Sequence, residues 1–244
     1  MNAGETSFVN RPVTLNGNEY PVAVFVPNGW TAARKWPVVL FLHGAGERGT
    51  DGVRPTEVGL SRALREHPER FPAIVVLPQA PPDQRWMGET ADAAMRALDD
   101  AIREFSGDPD RVSLTGLSLG GFGVWHLALS HPDRFAALVP VCAGIVPNGT
   151  ATSVRQSPLT MDHADPYAFT AARLRHVPVW MFHGADDTVI VPSESRKMAQ
   201  ALRDADGNVR HVEYEGVGHD AWNRAYGEEE LWSWLFAQKR VRSK

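Results

Sequence analysis

Uninterrupted apolar runs alternate along the chain with longer stretches in which apolar residues recur at helical spacing. The runs occupy residues 37–42, 73–77, 135–141 and 177–182. A strand that is covered by helices on both faces carries apolar side chains in both directions, so these runs predict buried parallel strands. Their alternation with helical patterns predicts an α/β fold with a mostly parallel central sheet and helices on both faces.

The N-terminal segment has a different pattern. Two β-rich runs, residues 13–15 and 20–26, flank the turn sequence Asn16-Gly17-Asn18. An Asn-Gly pair between two such runs is a strong signal for a tight turn in a β-hairpin. We therefore expect an antiparallel hairpin ahead of the parallel strands.

Helical spacing of apolar residues predicts the positions of the helices. These are residues 55–66, 92–105, 122–130, 193–205 and 228–238. Residues 144–176 lose this periodicity, apart from a short helix expected to begin at Asp165-Pro166-Tyr167. We expect one domain over residues 1–244, with residues 144–176 as an insertion that covers the functional site.

Length, charge and composition narrow the class of protein. The 244 residues carry a net charge of -4, and the only basic cluster lies at residues 239–244, where a solvated tail is expected. This charge distribution lacks the basic surface of a nucleic-acid-binding protein. The chain has no apolar run of about 18 residues that could span a bilayer. A cytoplasmic location is expected for the chain as given, and a secreted mature form stays open because a removed signal peptide leaves no trace.

The segment of residues 115–121, Thr-Gly-Leu-Ser-Leu-Gly-Gly, contains the pattern G-x-S-x-G between a predicted strand and a predicted helix. A sharp strand-turn-helix with this pattern exposes the serine oxygen above the sheet, at the positive end of the helix. Gly116 and Gly120 would remove the side chains that such a turn cannot accommodate. Ser118 is the predicted nucleophile. The alternative is a glycine-rich turn that contains a serine by chance.

A second glycine-rich loop, residues 43–49, follows the buried run of residues 37–42. The backbone N–H groups of Ala45 and Leu119 are the predicted oxyanion donors. His43 is expected to order this loop through hydrogen bonds, with a catalytic role as the alternative. Trp86 lies in a loop at the same edge of the predicted sheet and is expected to wall the substrate pocket, with ordinary packing as its alternative.

An acid and a base follow Ser118 along the chain. Asp187 and Asp186 both come after the predicted strand at 177–182, and Asp187 is preferred as the acid, with a capping role left for the other. Two histidines follow these aspartates. His211 lies inside a strand predicted over residues 209–214, whereas His219 lies in a glycine-flanked loop, so His219 is the predicted base. The order serine, aspartate, histidine is that of a hydrolase triad.

Four stretches together resemble the α/β-hydrolase superfamily, and within it the phospholipase/carboxylesterase and feruloyl-esterase-like group. They lie at residues 42–49, 115–125, 183–192 and 218–222, so the resemblance spans most of the chain. It implies an α/β-hydrolase fold, hydrolysis of carboxylic esters without a cofactor, and the triad Ser118, Asp187 and His219. One difference is that residues 188–192 are one residue longer than the usual pattern after the acid, Asp-x-x-Val-Pro.

These observations predict a serine ester hydrolase that acts on a small-molecule ester with a short acyl or aromatic acyl group, without a metal or a cofactor. A serine peptidase of the same fold, or a lipase for long acyl chains, is the alternative. A binding protein with an inactive site is a further alternative, which a complete and ordered triad disfavours. A zinc hydrolase is disfavoured because the chain has no H-E-x-x-H or H-x-x-E-H pattern.

Overall fold

A computed structural model describes residues 7–150 and 153–240. Within these residues the strands, in chain order, are β1 (Ser7–Asn10), β2 (Val13–Leu15), β3 (Asn18–Tyr20), β4 (Val22–Val26), β5 (Trp36–Leu42), β6 (Ile74–Pro78), β7 (Gly107–Leu117), β8 (Ala137–Val141), β9 (Val179–Gly184) and β10 (Val209–Tyr214). Eight of them form a sheet in the order β1-β4-β6-β5-β7-β8-β9-β10, and β2 and β3 form a separate pair.

The large sheet is parallel from β6 to β10 and antiparallel at its N-terminal edge. Strand β5 pairs in parallel with β6 and β7, and the parallel pairing continues through β8 and β9 to β10. Strand β4 is antiparallel to both β1 and β6. A mostly parallel central sheet was expected from the apolar runs.

The N-terminal hairpin is present but smaller than predicted. Strands β2 and β3 pair around Asn16 and Gly17, which both have positive φ angles of 48° and 83°. Two successive residues with positive φ form the turn type whose twist matches a hairpin. The run at 20–26 ends its pairing with β2 at Tyr20 and continues as β4 in the large sheet. Strand β1 was not predicted, because its four residues carry no distinctive pattern.

The helices cover both faces of the sheet. They are α1 (Leu60–Glu66), α2 (Glu89–Glu104), α3 (Leu119–Ser130), α4 (Pro158–Met161), α5 (Pro166–Leu174), α6 (Ser193–Asp204), α7 (Trp222–Ala225) and α8 (Glu229–Ala237). Buried side chains of α2, α3, α5 and α6 join one apolar core, and those of α1, α7 and α8 join the other. Along β5, Leu40 faces the first core and Phe41 the second, as the alternation of side chains in a strand requires. The chain therefore has the α/β-hydrolase arrangement.

Several predicted elements differ from the structure. The predicted helix at 55–66 is divided into a 3-10 turn, Arg54–Thr56, and α1, since Gly59 between them has a φ of 64°. The described residues of the segment 144–176 contain two short helices, and α5 begins as predicted directly after Asp165, whose carboxylate caps it by accepting from the Tyr167 and Ala168 amides.

The C-terminal segment also differs. Lys239 is exposed, as expected of a solvated tail, but Arg240 is half-buried, and its guanidinium lies 2.7 Å from the Asp110 carboxylate. Residues 241–244 of the predicted tail lie outside the described part of the chain. No helix in that part has the length and apolar character needed to cross a bilayer.

Candidate active site

Ser118 lies at the junction between β7 and α3. Its φ is 52° and its ψ is -116°, a backbone conformation that non-glycine residues rarely adopt. It precedes the first residue of α3, where a serine hydroxyl commonly caps the helix by accepting from a backbone N–H. Here the Ser118 hydroxyl makes no such bond. The strained turn leaves the Oγ atom available to another partner.

Two glycines allow this turn to pack against the end of β5. A Cβ atom at Gly120 would lie 1.9 Å from the Leu42 carbonyl oxygen, and one at Gly116 would lie 2.5 Å from the Gly120 carbonyl oxygen. Both contacts involve backbone, which cannot move aside as a flexible side chain can. The predicted need for glycine at these two positions is therefore confirmed.

The partner of Ser118 is His219. The Ser118 Oγ atom lies 2.9 Å from His219 Nε2, and His219 Nδ1 lies 2.7 Å from Asp187 Oδ2. The Asp187 carboxylate accepts from the Nδ1–H group, which leaves Nε2 free to accept the proton of the hydroxyl. The structure thus brings together the three residues that were predicted from separate strand-loop junctions. His211 lies in β10, as predicted.

Asp187 is the aspartate that reaches His219, and the neighbouring Asp186 is exposed. The Asp187 side chain is fully buried. Burial alone would raise its pKa, but hydrogen bonds from His183, His219 and the Ile190 amide hold the pKa well below its ordinary value. This carboxylate is therefore ionised across the neutral range, which suits it to orient an imidazole and stabilise its charged form.

Close backbone contact joins the loops of Asp187 and His219. A Cβ atom at Gly184 would lie 2.0 Å from the Gly218 carbonyl oxygen, so this position requires glycine. The Asp186 amide donates to the Val217 carbonyl at 3.0 Å. These contacts hold the loop after β9 against the loop after β10 and bring the two side chains together.

The loop after β5 is fixed by His43. The His43 Nδ1 atom lies 2.6 Å from the Gly44 carbonyl oxygen, and Nε2 accepts from the Ala80 amide at 3.0 Å. One nitrogen must donate and the other accept, so the ring is neutral, and burial lowers its pKa to about 4. His43 orders the loop, as predicted.

Both predicted oxyanion donors are the first residue of a helix. Ala45 begins the 3-10 helix Ala45–Glu47, and Leu119 begins α3. The N–H group at such a position has no acceptor within its own helix. Their N–H groups are thus available to a ligand, and the Arg48 guanidinium donates to the Ala45 carbonyl at 3.0 Å, which steadies the first of them.

The expectation that Trp86 walls the substrate pocket is wrong. Its side chain is 1% exposed, its indole N–H donates to the His43 carbonyl at 3.0 Å, and its ring contacts the His43 ring edge-on. A Cβ atom at Gly123 of α3 would lie 2.5 Å from that of Trp86. Trp86 is therefore a buried packing residue that contacts and supports the loop of His43.

The aromatic residue beside the triad is Trp222, which was missed. Its ring meets the His219 ring edge-on at a centroid distance of 5.3 Å, and the side chain is half-buried. It is the first residue of α7 and lies three residues after His219, and this spacing was the signal available in the sequence. The Trp222 ring packs against the imidazole and limits its movement.

Comparison with known proteins bears on the identity of the chain. A family model described as "Putative esterase" matches residues 14–241. The chain belongs to this esterase family. The chain shares 30% identity with a thermostable esterase of known structure, with a TM-score of 0.81 over 96% of this chain and 63% of that one. A ferulic acid esterase superposes with a TM-score of 0.71 at 19% identity, covering 96% and 98% of the two chains, which shows a shared fold.

Comparison of sequences also finds a relative among curated proteins. It is an uncharacterized secreted protein of Arthroderma benhamiae, 27% identical to this chain over 208 residues. The match covers 76% of the chain and 21% of the relative, so the chain spans about a fifth of the relative's length.

One group of donor atoms in the described part of the chain has the spacing of a metal site. The thiol of Cys142 and the side chains of Asp187 and His219 place one potential ligand atom each within 4.8 Å of one another. The side chains of Asp187 and His219 are already hydrogen-bonded to each other. Burial and the negative charge of Asp187 raise the pKa of the Cys142 thiol. A metal needs the thiolate. This donor set does not fit a metal.

A polar cleft borders the loop that carries Ala45. Its volume is about 400 Å³. The residues that line it are Ala45, Gly46, Arg48, Gly49, Thr50, Asp51, Arg54, Pro82 and Asp83. A group that enters from the Ala45 side therefore meets charged and hydroxyl side chains, with little apolar surface.

Proposed function

We propose that the chain hydrolyses carboxylic esters through an acyl-enzyme formed on Ser118. The observation that carries the proposal is the chain of hydrogen bonds from the Ser118 hydroxyl through His219 to Asp187, at 2.9 and 2.7 Å. The proposal is further supported by the strained turn at Ser118, by the unpaired N–H groups of Ala45 and Leu119, and by the family to which the chain belongs. No cofactor is needed for this chemistry.

In acylation, the Ser118 oxygen attacks the ester carbonyl carbon while His219 Nε2 takes the hydroxyl proton. The carbonyl oxygen becomes an oxyanion, which accepts hydrogen bonds from the Ala45 and Leu119 amides. One such donor contributes about 3 kcal/mol to transition-state stabilisation in serine hydrolases. The intermediate collapses, the bond to the alcohol oxygen breaks, and the alcohol leaves with the proton from His219.

In deacylation, a water molecule replaces the alcohol. His219 Nε2 takes one water proton as the water oxygen attacks the acyl carbon. The acid is released when the bond to the Ser118 oxygen breaks, and the imidazole returns the proton to that oxygen. Asp187 stays ionised throughout and stabilises the imidazolium that forms twice in the cycle.

We infer that the substrates carry short acyl groups or a planar aromatic acyl group. The polar lining of the cleft beside Ala45 offers a long alkyl chain little of the burial that is worth about 0.8 kcal/mol per methylene. Trp222 replaces Trp86 as the aromatic surface for an acyl group such as hydroxycinnamoyl, since its half-buried ring lies against His219. The segment 144–176 is proposed to cover the site.

The nucleophile is tested by Ser118→Ala. The kcat for p-nitrophenyl acetate should fall about 10⁴- to 10⁶-fold, because the triad acts as a unit. Circular dichroism and Tm should stay near those of the wild type. Activity of the same order as the wild type would refute the assignment of Ser118.

The acid is tested with a matched pair of variants. Asp187→Asn should lower kcat by about 10⁴-fold, since an amide favours the wrong imidazole tautomer. Asp186→Asn changes the neighbouring exposed carboxylate and should leave kcat near that of the wild type. Equal losses in the two variants would contradict the choice of Asp187.

The substrate class is tested with acetyl to decanoyl p-nitrophenyl esters, methyl hydroxycinnamates and peptide anilides. The kcat/KM values should be highest for short acyl or hydroxycinnamoyl esters. Values that rise steadily to the decanoyl ester would identify a lipase. Preferred cleavage of anilides would identify a peptidase.

A further inference from the structure

Two histidines contact Asp187, and the proposed mechanism uses only one of them. The second is His183, the next-to-last residue of β9, whose ring is fully buried. Its Nε2 atom lies 3.2 Å from Asp187 Oδ2 and 2.8 Å from the Ile190 carbonyl oxygen. A carbonyl and an ionised carboxylate only accept hydrogen bonds, so Nε2 carries a proton. It donates toward both oxygens, whatever charge the ring bears.

The other nitrogen of His183 fixes the plane of the ring. Nδ1 is hydrogen-bonded to the Ser195 hydroxyl in the first turn of α6, and that hydroxyl lies 3.0 Å from the Ala143 carbonyl oxygen after β8. The ring is thus tied to segments that follow two neighbouring strands. It cannot rotate away from Asp187 without breaking buried hydrogen bonds, each of which is costly to leave unmade.

The bonds of the Asp187 carboxylate show what His183 adds. Oδ1 accepts from the Val189 and Ile190 amides at 2.9 and 3.0 Å, and Oδ2 accepts from His219 and His183. Without His183, Oδ2 would be held only by His219. That ring gains and loses a proton twice in each proposed cycle, so it is a poor sole anchor for the carboxylate.

We propose that His183 is a positioning residue that holds Oδ2 of Asp187 in line with His219 while the proton moves between His219 and Ser118. This role rests on the proposed ester hydrolysis. It explains why a buried ring is aimed at a carboxylate that already has three other hydrogen-bond donors.

Two amide variants test the contacts of the two ring nitrogens of His183 separately. In His183→Gln the side-chain N–H can occupy the place of Nε2 and donate to Asp187. In His183→Asn the shorter amide can reach Ser195 but not Asp187. For His183→Gln, we expect kcat for p-nitrophenyl acetate to stay within about threefold of the wild-type value. For His183→Asn, we expect kcat to fall about 10- to 100-fold, because a small misplacement of a catalytic group has effects of this size. KM should change little in either variant.

Ser195→Ala is the control for a general loss of stability around His183. It removes the Nδ1 partner and should lower Tm, yet Nε2 stays hydrogen-bonded to the Ile190 carbonyl and beside Asp187, so kcat should fall no further than in His183→Gln. The downfield proton resonance of the bond between His219 and Asp187 should be displaced or broadened in His183→Asn and retained in His183→Gln and Ser195→Ala. A purely structural role would instead make kcat follow Tm in all three variants.

The proposal is overturned if His183→Asn and His183→Gln have equal kcat. A measurement on the wild type applies even if a variant does not fold: nitrogen NMR of ¹⁵N-histidine-labelled enzyme should show His183 protonated at Nε2, and an unprotonated Nε2 would overturn the proposal. If Ser118→Ala abolishes turnover while the two amide variants are equally active, the positioning role fails and the proposed function stands.

Discussion

Acidification should loosen the loop that carries Ala45, because His43 is held neutral inside it. The ring donates through Nδ1 to the Gly44 carbonyl and accepts through Nε2 from the Ala80 amide. A second proton on Nε2 would face the Ala80 N–H group, and the charge of Arg48 opposes it further. Protonation therefore costs the folded state two favourable features at once, the hydrogen bond to Ala80 and the neutrality of a buried ring.

The magnitude follows from the pKa of His43, which burial lowers from 6.5 to about 4. The unfolded chain takes up the proton near pH 6.5 and the folded protein only near pH 4, so between these values the unfolded state binds more protons. The stabilisation from the neutral ring is complete above pH 6.5 and is lost progressively as the pH falls to about 4. At 1.36 kcal/mol per pH unit, the full loss is about 3 kcal/mol.

The assay compares the wild type with His43→Asn, which does not titrate in this range. Urea unfolding of both proteins at pH 7, 6, 5 and 4 gives the difference in unfolding free energy, in which the carboxylates common to both cancel. That difference should shrink by about 3 kcal/mol between pH 7 and pH 4. A difference that stays constant across the range would refute the claim that the His43 ring is held neutral.

Two further predictions concern buried positions near the site. Gly120→Ala should destabilise the fold by about 3 kcal/mol or more in a urea titration, since its Cβ would overlap the Leu42 carbonyl. Gly46→Ala is the control and should be tolerated, because nothing lies within 4 Å of the added carbon. Cys142 should not react with a thiol reagent in the native protein, because it is fully buried and its pKa is raised, and should react stoichiometrically in denaturant; rapid native labelling would contradict this burial.

The sequence was sufficient to predict features that depend on one local pattern and one rule of topology. Strand β10 matches its predicted bounds, Val209–Tyr214, because a β-rich run lies between clear turn signals. Ser118, Asp187 and His219 each follow a predicted strand of a parallel sheet, and the carboxyl ends of such strands meet at one edge. Convergence of the three side chains follows from that geometry, with no knowledge of their contacts.

Contacts between distant segments could not be predicted in the same way. Trp86 has an apolar ring and one N–H group, which suit a pocket wall and a buried support equally well. Its position depends on an acceptor at His43 and on space at Gly123, some 40 residues away in each direction along the chain. Likewise, the sequence placed Glu194 only within the predicted helix 193–205, yet its buried carboxylate accepts from the Val146 amide and the Tyr167 hydroxyl.

The loop after the acid shows how a departure from the family pattern can leave the site intact. Residues 188–192 are one residue longer than the usual segment, which could displace the carboxylate if spacing alone set its position. The Asp187 amide, however, donates to the Gly184 carbonyl at the end of β9, so the backbone of the acid is fixed before the longer segment begins. Oδ1 then accepts from the Val189 and Ile190 amides, a turn in which the aspartate side chain folds the following backbone around itself. Because the carboxylate organises the longer loop, the extra residue is accommodated beyond the acid, and the 2.7 Å bond to His219 is kept.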